Sequence, residues 1–244
     1  YKAKVVRYSF SNGALINPQI LIDQIPAASI HNGSRLVIHS NKIYITTGDA
    51  NDVSLSQNIN SLAGKTLRLN LDGSIPADNP FPNNPVWSYG HRNPLGIAFD
   101  AKGRLWNQEM GPAGGDELNL VKKAANYGYP TVSNGDHYDG RNIPDHAAGD
   151  GFEAPKVTWN PAISPGGLMI YSGDMFKAWK GSAFIGGLGA KALVRVKLDG
   201  ENAAKADQWD MGARIREVEQ GPDGAIWLLE DERAGSQGRL LKLT

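Results

Sequence analysis

The chain has 244 residues, with 25 basic and 25 acidic side chains, so its formal charge at neutral pH is zero. This balance gives no electrostatic attraction to nucleic acid or to anionic lipid, and we expect neither as a partner. The chain has no cysteine, which excludes disulfides and thiolate metal sites, and no uncharged stretch is long and unbroken enough to predict a membrane span.

Glycine and proline, at 29 and 14 residues, are too frequent for long helices and indicate β structure rich in turns. A pattern of apolar strand, polar turn and aromatic-bearing strand predicts hairpins at 35–48, 96–109 and 218–230. Alternation of apolar and polar residues predicts half-buried outer strands at 4–10, 66–71, 192–198 and 239–243, two of them ending in Asp-Gly turns at 72–73 and 199–200. The segment 116–126 fits a short helix or a strand.

Repeated pairs of hairpins predict an all-β fold, and specifically a β-propeller, with a sandwich or a barrel as the alternative. The repeat units take up roughly 45 to 60 residues each, so the chain has room for about four, fewer than a closed ring usually has. The sequence also begins inside a predicted strand. We therefore expect residues 1–244 to form a partial propeller, as one domain, without its N-terminal blades.

Three arginines, Arg92, Arg214 and Arg216, stand beside turns rich in glycine or proline, where side chains reach the rim of such a fold. Arg214 and Arg216 alternate along a predicted strand, which places both guanidiniums on one face and suits an anionic ligand. The alternative is an exposed strand edge on which these arginines pair with Glu217 or Glu219.

His31 and His91 are the histidines whose loop positions suit catalysis, although a loop histidine is more often a hydrogen-bonded turn residue. Gly111-Pro112, followed by Asp116-Glu117, combines carbonyls with carboxylates, which are oxygen ligands suited to Ca²⁺; the alternative is a solvated acidic turn. The sequence has no nucleotide-binding glycine motif, no serine-hydrolase elbow and no zinc-protease motif.

Seven segments, in the same order, resemble the soluble aldose sugar (glucose) dehydrogenases that use pyrroloquinoline quinone (PQQ): 30–36, 64–80, 90–94, 109–112, 116–120, 126–130 and 214–218. The resemblance covers nearly the whole chain. It implies a six-bladed propeller, of which this chain would hold the C-terminal two thirds.

The resemblance also implies roles for individual residues. His31 would be the general base that takes the proton of the sugar's C1 hydroxyl while hydride passes from C1 to C5 of the quinone. Arg92 and Asn93 would lie against the quinone oxygens and stabilise the charge that develops there. Arg214 and Arg216 would bind carboxylates of the cofactor.

By the same resemblance, the carbonyls of Gly111 and Pro112 would bind the Ca²⁺ that holds the cofactor. A second, structural Ca²⁺ would take Glu117 and the carbonyl of Tyr127.

Two further cofactor contacts follow from the resemblance. Tyr138 would offer an aromatic face to the quinone. Lys191 would be a contact displaced along the sequence from the family's lysine, and Trp159 would line the substrate side.

The leading hypothesis is a periplasmic or secreted quinoprotein that oxidises aldoses to lactones and passes electrons to an acceptor that the sequence does not indicate. One alternative is a noncatalytic propeller that binds carbohydrate or protein. Another is a Ca²⁺-dependent propeller lactonase, which would place carboxylates and amides around an axial metal rather than a histidine and arginines.

Overall fold

A computed structural model describes residues 1–233 and 235–244, and antiparallel strands dominate it. The strands form five sheets: three of four strands, one of three and one of two. In this described part of the chain, helix is confined to α1 (Ser54–Gln57) and a 3-10 turn at Lys177–Trp179. The predicted all-β class is confirmed.

The described chain forms two compact units, and the first comprises residues 1–93 and 122–130. It contains a two-stranded ribbon followed by a four-stranded sheet in which each strand pairs with the next along the chain. The strands are β1 (Lys2–Ser11), β2 (Ala14–Pro26), β3 (Leu36–His39), β4 (Lys42–Thr47), β5 (Lys65–Asn70) and β6 (Val86–Tyr89). The core of this unit includes Ile45, Leu67 and Val86, all buried.

The second unit comprises residues 94–121 and 131–244, and its three sheets also follow chain order. The first sheet holds β7 (Pro94–Phe99), β8 (Leu105–Glu109), β9 (Asp116–Val121) and β10 (Val157–Trp159). The second holds β11 (Pro165–Ile170), β12 (Ala183–Gly187), β13 (Ala192–Asp199) and β14 (Asn202–Asp210), and the third holds β15 (Ile215–Gln220), β16 (Ile226–Glu230) and β17 (Leu240–Leu243).

Strand β8 has two faces that carry different side chains, and both faces are buried. Side chains alternate between the faces of a strand. Trp106 therefore faces the buried apolar cluster that contains Ile185. Asn107 and Glu109 take the opposite face, and both are also buried. That polar face carries one of the candidate sites.

The three predicted hairpins are confirmed as β3–β4, β7–β8 and β15–β16. The Asp-Gly turns are also present, with φ of 91° at Gly73 and 62° at Gly200, a backbone conformation that glycine adopts without strain. The segment 116–126 forms a strand at its start, β9, and not a helix.

The prediction of half-buried outer strands is wrong for β5 and β13. Each is the third strand of its sheet, paired on both sides. In β5 the charged Lys65 and Arg68 are buried together with the apolar residues. Both charges have partners: backbone carbonyls surround Lys65, and Arg68 pairs at 2.8 Å with Asp78, which is itself exposed. Alternation of charged and apolar residues therefore does not mark a solvent-facing side here.

A four-stranded antiparallel meander is the blade unit of a β-propeller, and three sheets have this form. The count of six blades, the lack of N-terminal blades and the single partial domain stay predictions. Among the described residues, no helix is long and apolar enough to cross a bilayer.

Candidate functional site

His31 lies in the loop between β2 and β3 and pairs with a buried carboxylate. Its Nδ1 atom is 2.9 Å from Oδ1 of Asp49, and the imidazole side chain is 15% exposed. The His31 backbone is left-handed, with φ of 59°, and its carbonyl accepts the N–H of Ala50 at 3.0 Å. Gly48 crosses directly beside this carbonyl, and a Cβ at position 48 would overlap it.

This pairing suits general-base chemistry. The Asp49 carboxylate accepts the Nδ1 proton, which fixes the tautomer and leaves the lone pair on Nε2. Asp49 is fully buried, so its charge acts on the imidazole with little screening by water. Sequence reasoning missed Asp49, because only the fold brings this residue, which follows the end of β4, to the loop of His31.

Arg92 and Asn93 are both buried, at 4% and 6% exposure. The carbonyl of Arg92 accepts the N–H of Asp49 at 2.8 Å, and its guanidinium lies 5.9 Å from the ring centre of Tyr129. Oδ1 of Asn93 accepts the N–H of Gly33 at 3.1 Å, which orients the amide. The first unit thus holds the predicted base and two predicted cofactor contacts on one set of connected loops.

His91 has a structural role, so its interpretation as a catalytic candidate is wrong. It is fully buried, its Nε2 lies 2.9 Å from the hydroxyl of Ser88, and its ring stacks on Tyr127 with centroids 4.6 Å apart. The hydroxyl of Tyr127 accepts the backbone N–H of Lys122 at 2.9 Å. The side chain of Tyr127 is therefore part of the packing, and the calcium role of its carbonyl stays a prediction.

The loop at Gly111 and Pro112 is tightly folded in the second unit. The N–H of Gly111 donates to Oδ1 of Asp116 at 2.9 Å, while Oδ2 of Asp116 accepts the N–H of Ser164 at 2.7 Å. A Cβ on Gly111 would overlap the carbonyl of Gly114. Pro112 is buried, and within the described residues no hydrogen bond ends on its carbonyl oxygen. A carbonyl oxygen that receives no hydrogen bond from the described chain fits a hard cation.

Glu117 faces a second carboxylate across the β8–β9 ladder, where its register partner is Glu109. Both are buried, and the Nδ2 atom of Asn119 donates to Glu109 at 3.1 Å and to Glu117 at 3.3 Å. Burial, and then the nearby charge of Glu109, raise the pKa of Glu117 well above its ordinary value. A divalent cation would relieve this repulsion, so the pair fits the predicted calcium ligand Glu117 and adds Glu109, which sequence reasoning missed.

Across residues 1–233 and 235–244, no group of three or more His, Asp or Glu side chains is arranged to hold a metal. An ion at Glu117 or at Pro112 would therefore need carbonyl or amide oxygens as further ligands. Amide oxygens are present on the same face of the sheet as Glu117, in Asn107 and Asn119. Both of these oxygens are buried and receive no hydrogen bond from the described chain.

Arg214 and Arg216 converge on one carboxylate, that of Asp231. The Nη2 atoms of the two arginines lie 3.2 Å and 2.5 Å from the same Oδ2 atom. The prediction that they share a face is confirmed by this common partner, and the alternative pairing with Glu217 or Glu219 stays a prediction. Burial opposes ionisation of Asp231, but hydrogen bonds from Arg216 and Arg214 outweigh it and hold its pKa below the ordinary value. The Nε atom of Arg214 is buried without a hydrogen-bond partner in the described chain.

The two remaining predicted contacts, Tyr138 and Lys191, lie at the surface of the second unit. Tyr138 is 77% exposed in the long loop between β9 and β10, and Lys191 is exposed in the turn between β12 and β13, with φ of 51°. Trp159 is buried at the end of β10, with the ammonium of Lys205 over its ring. Their roles toward cofactor or substrate stay predictions.

The chain is similar to several curated proteins. It is 38% identical to an uncharacterized protein of Synechocystis, over 99% of this chain and 63% of that protein. It is 37% identical to the aldose sugar dehydrogenase of Escherichia coli, over 91% of this chain and 62% of that protein. It is 28% identical to quinoprotein glucose dehydrogenase B of Acinetobacter calcoaceticus, over 94% of this chain and 64% of that protein. The chain thus spans less than two thirds of the length of these relatives.

Solved structures give the same picture. The soluble aldose sugar dehydrogenase of Escherichia coli, in its apo form, matches with a TM-score of 0.90 and 34% identity, over 98% of this chain and 72% of that chain. The PQQ-bound aldose sugar dehydrogenase of Streptomyces coelicolor matches with a TM-score of 0.81 and 33% identity, over 98% and 71%. Residues 1–242 match the family described as glucose/sorbosone dehydrogenase. The chain belongs to the glucose/sorbosone dehydrogenase family.

Proposed function

We propose that the protein oxidises aldose sugars at C1 to lactones, with PQQ as the oxidant and Ca²⁺ as the ion that holds it. The observation that carries this proposal is the His31–Asp49 pair, with Nδ1 and Oδ1 2.9 Å apart, next to the buried Arg92 and Asn93. Two relatives named as aldose sugar or quinoprotein glucose dehydrogenases, and a PQQ-bound structural match, support it.

The residues present fit this cofactor. PQQ is an anion with three carboxylates and a quinone, and it is suited to guanidinium partners. Arg214 and Arg216 supply two such groups, and Arg214 has a buried Nε atom that no described residue satisfies. The carbonyl of Pro112, which receives no hydrogen bond from the described chain, fits the calcium ion. When bound, PQQ supplies the two-electron acceptor and Ca²⁺ the Lewis acid that polarises it.

The protein's own residues then have distinct tasks. Nε2 of His31 accepts the proton of the C1 hydroxyl, and the Asp49 carboxylate stabilises the imidazolium that forms. The His31 side chain keeps 15% of its surface exposed, which lets the proton pass on to solvent. Arg92 would supply positive charge where negative charge grows on the quinone, and Asn93, whose Oδ1 accepts the N–H of Gly33, would present an oriented amide there.

The test is reconstitution of the protein with Ca²⁺ and PQQ, followed by glucose, with the absorption band of the oxidised quinone as the readout. We expect the band to bleach. His31→Ala should keep the cofactor and lose about 10² to 10⁴ in turnover, because the base is gone. His39→Ala, at the end of β3, is the control and should turn over normally.

Two results would contradict the proposal. Binding of sugar without any bleaching would favour the noncatalytic alternative. Hydrolysis of lactones in the presence of Ca²⁺ alone would favour the lactonase.

A further inference from the structure

Lys65 is a buried charge that the proposed mechanism does not use. It opens β5, is fully buried, and its Nζ atom lies 2.9 Å from the Leu55 carbonyl, 2.9 Å from that of Ser56 and 2.5 Å from that of Ala63. None of the carboxylates that the structure describes pairs with it. Burial lowers the pKa of Lys65 to about 7, so the ammonium form that these carbonyls bind predominates below that pH.

Three carbonyl oxygens around one positive charge form the kind of shell with which proteins hold a bound cation. Here the cation is covalently part of the chain. Taking an ammonium out of water is costly, and each charge-assisted hydrogen bond offsets part of that cost. An apolar side chain would fill the same space without this cost, so packing alone does not account for a lysine.

Loop 55–64, which contains these three carbonyls, also binds the segment that carries Arg92. The carbonyl of Ser56 accepts the N–H of Gly90 at 3.0 Å in addition to the Lys65 ammonium. The Ser56 hydroxyl donates to the His91 carbonyl at 2.8 Å, and the N–H of His91 donates to the Gly64 carbonyl at 3.2 Å. These bonds hold the backbone N–H of Gly90 and both the N–H and the carbonyl of His91, directly before Arg92.

The same loop connects to the strand end that carries the Asp49 carboxylate. The N–H of Gly64 donates to the carbonyl of Gly48 at 2.8 Å, and the N–H of Asp49 donates to the carbonyl of Arg92 at 2.8 Å. A loop that lost its shape at 55–64 would therefore release two anchors of the Arg92 main chain.

We propose that Lys65 is a positioning residue whose ammonium acts as a built-in cation, holding loop 55–64 in the form that sets the main chain at His91, Arg92 and Asn93. The positioning itself is independent of any ligand. It rests on the proposed function only for what Arg92 and Asn93 then do with the cofactor.

The test is amide hydrogen exchange of the segment 88–94 in the free protein, at about pH 6, below the pKa of Lys65, so that the ammonium is charged. Lys65→Met fills the space without the charge, and we expect exchange in this segment to rise about tenfold or more, as for the loss of a charge-assisted hydrogen bond. Lys102→Met, at an exposed turn of the second unit, is the matched control and should leave the segment unchanged. Exchange within about twofold of the wild type in Lys65→Met would overturn the proposal.

Chemical rescue separates a cation site from simple packing. In Lys65→Ala, n-propylammonium replaces the missing atoms and should restore slow exchange at 88–94. Neutral n-propanol fills the same volume and should not. Equal rescue by both compounds would show that the position needs volume, not charge, and would end the proposal.

If neither variant folds, the wild type itself decides. At about pH 6, below its pKa, the ammonium of Lys65, labelled with ¹⁵N, should give a resolved NMR signal with slowly exchanging protons, because all three are hydrogen-bonded. An ammonium that exchanges as fast as that of Lys102 would overturn the proposal. None of these readouts uses PQQ, so a wild type that fails to bind PQQ would remove the proposed function without affecting this test.

Discussion

The chemistry of a single imidazole depends on which nitrogen carries its proton. In His31 the Nδ1 atom faces a buried carboxylate at 2.9 Å, so Nε2 is left to accept a proton. The carboxylate comes from a loop 18 residues further along the chain, and it is held in turn by the N–H of Asn51 at 2.8 Å. The base is therefore built from two loops.

We expect Asp49→Asn to lower turnover by about 10² to 10⁴, because an amide neither fixes the tautomer as firmly nor stabilises the imidazolium. Cofactor affinity should not change, since the Asp49 side chain contacts the imidazole, and the substitution keeps the backbone N–H that binds the Arg92 carbonyl. Steady-state kinetics with an artificial electron acceptor, together with a PQQ titration, would measure both. Asp52→Asn, an exposed neighbour in the same loop, is the control. Turnover of Asp49→Asn within about threefold of the wild type would refute this role.

At the scale of elements, the β15–β16 hairpin holds Arg214, Arg216 and Asp231 as one unit. The two guanidiniums share a single oxygen atom, and the N–H of Asp231 donates to the Arg214 carbonyl at 2.8 Å. The carboxylate thus orients both forks, although it also lowers the positive charge of the pair. The two effects of Asp231 on anion binding are opposite: orienting the guanidiniums strengthens binding, and its negative charge weakens binding.

We expect Asp231→Asn to weaken PQQ binding roughly tenfold. The loss of order in two guanidiniums should weaken binding more than the removal of one negative charge strengthens it. A fluorescence or calorimetric titration would measure this affinity. Asp223→Asn is the matched control, since it removes the same charge from an exposed pair with Lys242 in the same sheet. Tighter binding in Asp231→Asn would show that charge, and not orientation, dominates.

Strands and shared faces were predictable from the sequence, because both follow from alternation along one segment. Arg214 and Arg216 are two residues apart and do lie on one face. Asp49, Glu109 and Asp231 were not predictable, because each acts on a group that only the tertiary fold brings near, and none has a local pattern. The burial of β5 was misjudged for a related reason, since the carbonyls that satisfy Lys65 lie in a loop that the pattern of β5 does not reveal.

For the whole molecule, a cation that binds only the folded state adds to stability by mass action, by about 2.7 kcal/mol when its concentration is 100 times its dissociation constant. We expect Ca²⁺ to raise the unfolding temperature of the wild type, and Glu117→Gln to abolish most of that rise. Thermal unfolding in Ca²⁺ and in EDTA would measure it, with Glu201→Gln, at an exposed turn, as control. An undiminished calcium effect in Glu117→Gln would exclude this ligand.

The pH dependence of the free energy of unfolding, measured in EDTA, is a second test of Glu117. The pKa of Glu117 is higher in the folded state than its ordinary 4.5, so the folded state binds more protons above that pH. The contribution of this group to the free energy of unfolding is therefore present below pH 4.5 and is lost as the pH rises through the folded-state pKa. Glu117→Gln should remove that loss.

The close contact between Gly48 and the His31 carbonyl limits how the His31–Asp49 pair can be transferred to another protein. Every amino acid other than glycine carries the one atom that has no room there. A design that grafts the His31–Asp49 pair into another scaffold would therefore also need a glycine at the position of Gly48, although this glycine takes no part in proton transfer.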